Sequence, residues 1–207
     1  MGLDLSLFMA DWEHLSGTPV ENRVQALDDA TWPTEFYDDY QRHGPAGGGW
    51  LWPPDRVSAW CAEYVFFTTT GAYGPHARAG DAWADIRLLV DTSVREAMDT
   101  FVAGLIWDVD PADDPAPTGG GGFFPPATDR WRPYVLLVCP PEAVPGKARA
   151  WERVEPHLEA LHEPFAAESE GWAGRPDTFD NFTGLLSEWG GVTTEAARRG
   201  WGLVGLP

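Results

Sequence analysis

Twelve of the 207 residues are tryptophan, and ten phenylalanines and five tyrosines accompany them. Side chains of this size force a fold with a substantial core. Each indole leaves water only when packed from several sides, and its N–H needs a partner once buried. A chain of 207 residues has volume for one such core, or for one core with a small appendage. Indoles that the core does not absorb become recognition material, because tryptophan is favoured at the centres of protein interfaces.

The same chain carries 32 acidic and 14 basic residues, a formal net charge of −18. A surface of that sign repels the phosphate backbones whose neutralisation supplies most nucleic-acid affinity, and it repels anionic bilayers. The expected partner is therefore a protein, basic in character, with nucleic acid and membrane excluded. Solubility in a crowded cytoplasm is the plainer consequence of the same charge. Hydrophobic residues at 43% and charged residues at 22% are ordinary globular usage, which argues against a disordered acidic tail. No basic region precedes an apolar run at Met1–Leu5, and no apolar stretch approaches the roughly 18 residues of a spanning helix. Gly2 followed by Ser6 fits a myristoylation pattern by chance composition only. Cys61 and Cys139 lie too far apart for a disulfide framework and read as reduced and buried, consistent with a cytoplasmic chain.

Periodicity assigns the fold class: α+β, a helix-rich single domain over 1–207 with a small β-sheet and long Pro/Gly-rich loops. Leu3, Leu5 and Leu7 alternate as in an N-terminal strand. Thr18-Pro19-Val20-Glu21 reads as a helix start, with Val20, Val24 and Leu27 as its stripe and Pro33 as its stop. Residues 33–54 read as an irregular segment. Asp55 is expected to cap a short helix bearing Val57, Trp60, Cys61 and Tyr64, with a strand over Val65–Thr70. Gly71–Gly80 reads as a loop, and Asp81 as the cap of a helix with Trp83, Ile86 and Val90. Ser93–Glu96 is a capping-box pattern ahead of Val94, Ala97, Met98, Phe101, Val102 and Leu105, the clearest helical stripe in the chain. The acidic Pro/Gly-rich stretch 108–129 reads as a flexible loop or subdomain boundary. Tyr134–Val138 suits a buried strand. Trp151, Val154, Leu158, Leu161 and Phe165 are helically spaced, but Pro156 and Pro164 break them into a kink or successive short helices. A last stripe, Phe179–Trp189, is expected to end at Gly190-Gly191, with a short helix at Glu195–Arg199 and an edge strand over Trp201–Leu206.

No complete catalytic, metal or cofactor motif stands out. The glycine runs 47–49 and 119–122 lack the Gly-Lys-Ser/Thr ending of a phosphate loop. The five histidines form no metal-ligand spacing. His76, near Arg78, Asp81 and Asp85, is the best single candidate for general-base chemistry, and no nucleophile elbow accompanies it. Acidic pairs such as Asp38-Asp39 arise readily in so acidic a chain. Trp50-Leu51-Trp52, between glycines and Pro53-Pro54, is the most unusual local feature. In an extended segment both indoles fall on one face, either as core plugs or as binding anchors. The functional expectation is a non-enzymatic binding protein, without cofactor or metal, that engages its partner through Trp50, Trp52, Asp38 and Asp39. By analogy of charge it resembles an immunity or antitoxin-type inhibitor of a basic protein. The alternative is a small hydrolase or carbohydrate-binding enzyme using loop carboxylates with His76, Asp81 and Asp85.

Overall fold

The N-terminal alternation places the first strand. β1 (Ser6–Ala10) turns Leu7 and Met9 to one face and Phe8 and Ala10 to the other, and all four are fully buried. A strand buried on both faces needs cover on both. The computed structural model, which describes residues 4–31, 48–53, 55, 57–69, 71–107, 122–126, 135–169, 176 and 178–207, supplies it. β2 (Gly49–Leu51), β3 (Cys61–Val65), β4 (Leu137–Cys139) and β5 (Gly202–Leu206) join β1 in an antiparallel sheet of order β2-β3-β1-β5-β4.

On the Phe8 face, α1 (Trp12–Ser16) and α2 (Arg23–Thr31) pack with Phe124, and Leu15, Leu27, Cys61, Val204 and Leu206 fill the space between. Arg23, itself buried, donates to the carbonyls of Thr18, Phe123 and Ser16, and its guanidinium lies 4.1 Å from the Phe123 ring centroid. On the Leu7 face, α3 (Gly74–Ile86), α4 (Thr92–Val102), α5 (Val144–Val154), α6 (His162–Ser169) and α7 (Phe179–Arg199) enclose the main core around Trp83, Phe101, Trp151, Phe182 and Trp189. Lys147, the sole lysine, is folded inward from α5. Its Nζ donates to the carbonyls of Thr100, Phe101 and Ala103, closing the C-terminal end of α4.

The helix-rich α+β class is observed. The clearest stripe is α4, with Val94, Ala97, Met98, Phe101 and Val102 buried. Its cap is Asp91, which accepts from the Ser93 amide at 2.8 Å, two residues before the expected Ser93. Pro156 divides the Trp151–Phe165 run into α5, a 3-10 segment Glu155–Leu161 and α6.

Other expectations are corrected. Residues 57–64 are not a helix. Asp55 holds a turn, accepting from Val57 N (3.1 Å) and Ser58 Oγ (2.6 Å), and the strand comes earlier, at Cys61–Val65. Cys61 and Tyr64 are three apart, so they fit a helical stripe as well as opposite faces of a strand. Helical structure after Thr18 starts as a 3-10 turn, Val20–Asn22, without a side-chain cap. Residues 74–80, read as loop, belong to α3, whose Pro75 occupies the first turn where a missing N–H costs nothing. Gly190-Gly191 does not end α7, which runs 21 residues to Gly200 at φ 70°. Gly190 is small for contact: a Cβ there would lie 2.1 Å from Trp151 Cε2. β5 is not an edge strand but lies between β1 and β4. Within the acidic stretch, residues 108–121 and 127–129 lie outside the described residues, and Phe123 stacks on Trp12 at 4.8 Å.

Candidate functional site

His76 stands in the first turns of α3 and is fully buried. The indole Nε1 of Trp189 donates to its Nδ1 at 3.0 Å, which leaves the ring proton on Nε2, 3.3 Å from the Thr69 hydroxyl oxygen. Phe66 meets the ring edge-on at 4.6 Å. Asp81 and Asp85, on the same helix, are exposed. Burial pushes the His76 pKa down to about 3, and protonating Nδ1 would also set two N–H groups against each other. The residue read as a general-base candidate on a loop is thus a core histidine on a helix, held neutral.

This has a measurable consequence. An unfolded chain takes up the proton near pH 6.5, the native ring only near pH 3. The unfolded state binds more protons throughout that window, so stability falls as pH drops through it, by about 1.4 kcal/mol per unit. His76→Gln keeps an acceptor for Trp189 and is expected to flatten this part of a plot of unfolding free energy against pH. Parallel plots for the two proteins would contradict a buried neutral ring.

Within the expected irregular segment, Gly49, Trp50 and Leu51 form the strand β2, and Trp52 follows just beyond it. Gly48 at φ 80° and Gly49 at φ 119° turn the chain into β2, and a Cβ on Gly48 would lie 2.9 Å from the Val65 carbonyl oxygen and the Phe67 nitrogen. β2 is the sheet edge among the described residues, and it sets Trp50 opposite Tyr64. Leu51 turns to the other face and is buried. Trp50 and Trp52 are half-buried, 6.5 Å apart. Trp50 meets Tyr64 edge-on at 5.0 Å, and Trp52 meets Trp201 at 6.2 Å. Trp201, also half-buried, follows the Gly200 cap and leads into β5. Each indole leans on the core and keeps some surface in water.

Charge borders this platform. The Arg199 guanidinium lies 4.1 Å from the Trp52 ring centroid and 5.1 Å from that of Trp201. Its Nε donates to Glu195 at 2.7 Å, and Arg198 grips the same carboxylate with two donors. Those bonds, Arg198's first, hold the Glu195 carboxyl down to about 2. Next to Tyr64, the Glu188 carboxylate accepts from the amides of Phe67 (2.6 Å) and Thr68 and from the Thr68 hydroxyl. Burial first, and the Glu188 charge second, push the Tyr64 phenol up to about 12, so it stays a neutral donor.

The structure therefore brings Trp50 and Trp52 together with Tyr64, Trp201, Arg199 and Glu195. The last four were missed in the sequence. The Ala62/Tyr64/Phe66 alternation was the available signal for Tyr64. For Arg199 and Trp201, which reach Trp52 across the sheet, there was none. Asp38 and Asp39 lie outside the described residues. Among the described residues no group of three or more His, Cys, Asp or Glu is placed to hold a metal ion, and no helix is long and apolar enough to cross a membrane. Comparison with known proteins gives no matching family model, no matching curated relative and no matching solved structure.

Proposed function

We propose that the protein is a non-enzymatic binding protein that engages a basic protein partner through the Trp50, Trp52 and Trp201 platform. One observation carries this reading: the fold seats its own guanidinium, Arg199, over Trp52 and Trp201, with Glu195 holding the charge. A surface that stacks an arginine has the chemistry to stack another, since indole faces attract cations and guanidinium is weakly hydrated. The net charge of −18 would steer such a partner and disfavour nucleic acid. An inhibitor of a basic protein, of the immunity or antitoxin kind, is one form this function takes. Two free buried cysteines fit a cytoplasmic setting. The competing hydrolase or carbohydrate reading finds no supporting observation in His76, whose ring nitrogens are occupied within the core.

The reading is tested by titrating the protein with an arginine-rich peptide while following tryptophan emission. Trp50→Ala and Trp52→Ala are each expected to weaken binding by about tenfold or more while the fold persists. Raising salt is expected to weaken the wild-type affinity. Unchanged affinity in both variants would remove the platform from the reading.

A further inference from the structure

A concave feature lies toward the other end of α7 from Arg199. A depression of about 320 Å³ opens between the 3-10 segment Glu155–Leu161 and the first turns of α7. Leu158 and Phe179 form its apolar wall, and Glu159, Asp180, Thr183 and Ser187 supply its polar side chains.

The donor count there is decisive. Thr183 Oγ1 spends its hydrogen on the Phe179 carbonyl at 3.1 Å, and Ser187 Oγ spends its own on the Thr183 carbonyl at 2.9 Å. Both hydroxyls meet a ligand with lone pairs only. The two carboxylates accept only, and among the described residues neither has a hydrogen-bond or ion-pair partner that would neutralise it. The polar side chains of the depression are therefore all acceptors. Such a set repels an anion and leaves the oxygens of a sugar without donors. It matches a group that brings several N–H donors, a positive charge and a short apolar body to lie against Phe179. The helix dipole opposes a cation at its first turn, but the effect fades within that turn, where Asp180 itself sits, and Thr183 and Ser187 lie beyond it.

We propose that this depression binds an alkylammonium or alkylguanidinium group through Glu159, Asp180, Thr183 and Ser187. The proposal does not depend on the aromatic platform. The same chemistry comes from two sources, a free diamine or guanidino amine and a lysine or arginine side chain of a protein.

Gly184 provides a test that leaves charge untouched. It lines the depression, and a Cβ there meets only the Thr68 Cγ2 at 3.5 Å, an ordinary contact. Gly184→Leu therefore places a large side chain at the lining, and Gly184→Ala a small one. Agmatine, 1,4-diaminobutane and neutral 1,4-butanediol are titrated into the protein, and backbone amide shifts are followed by NMR. The two cations are expected to shift Asp180 to Ser187, and the diol is not. Gly184→Leu is expected to abolish the effect, and Glu159→Gln with Asp180→Asn to weaken it about tenfold. Removing two charges elsewhere, with Glu13→Gln and Glu96→Gln, is expected to change it less than about twofold. An arginine-rich peptide that shifts the same amides when the free amines do not would assign the site to a protein side chain. Equal weakening by both charge-neutralising pairs, persistence in Gly184→Leu, or silence of these amides with amines and peptide alike overturns the proposal.

Discussion

Trp189→Ala is expected to remove about 5 kcal/mol of stability, much of what a domain this size has in hand. The indole is fully buried on α7, tilted against Phe66 at 5.1 Å and edge-on to His76 at 5.7 Å. Truncation opens a cavity at the centre of the larger core. It also leaves the His76 Nδ1 without its donor, a further cost of about 1–3 kcal/mol inside that total. Trp189→Phe separates the two effects, since it fills most of the space and removes only the N–H. Urea denaturation of both variants checks the division. A loss under about 1 kcal/mol for the alanine variant would show that α7 does not seal the sheet through this residue.

Gly80→Ala is the second large effect, and its sign runs against propensity. Alanine inside a helix ordinarily gains about 1 kcal/mol over glycine. At position 80 of α3, however, a Cβ would lie 1.9 Å from the Ile106 carbonyl oxygen and 3.3 Å from the Trp107 Cα. Both are backbone atoms that cannot swing aside. The helix is also tied to α4 at this level, because Trp83 Nε1 (2.9 Å) and Arg87 Nε (3.0 Å) both donate to the Asp99 carboxylate. Separation costs those bonds, and staying costs the overlap, so a net loss of about 3 kcal/mol is expected. Gly191→Ala is the matched control. It lies in α7 with nothing within 4 Å of its Cβ position, and it is expected to gain stability. Melting temperatures that move in opposite directions for the two alanines fit this packing. A rise for both would mean α3 does not touch the turn after α4.

Which parts of the fold were legible follows from how local their causes are. The α4 stripe was readable because five buried positions repeat at helical spacing on one continuous segment. The broken helix at Pro156 was readable because proline acts on its own neighbours. Gly190-Gly191 misled because a helix stop and a helix crossing both select glycine, and only the distant Trp151 decides between them. β3 was displaced because Cys61 and Tyr64 fit two periods at once, and strand pairing with β1 and β2 settles the matter non-locally. The aromatic platform was half visible. Trp50 and Trp52 announce themselves by spacing, but Tyr64, Arg199 and Trp201 reach them only after the sheet has formed. His76 reads as loop chemistry in the sequence because its partners, Thr69 and Trp189, come from a turn and from a helix more than a hundred residues on.

The aromatic platform is tested most directly by following the indole N–H resonances by NMR during titration with an arginine-rich peptide at low salt. The signals of Trp50, Trp52 and Trp201 are expected to shift progressively, while those of Trp83 and Trp189, sealed in the core, stay in place. The shifts are also expected to shrink as salt rises. A peptide that binds while the three platform indoles remain unmoved would rule out the platform as its binding site.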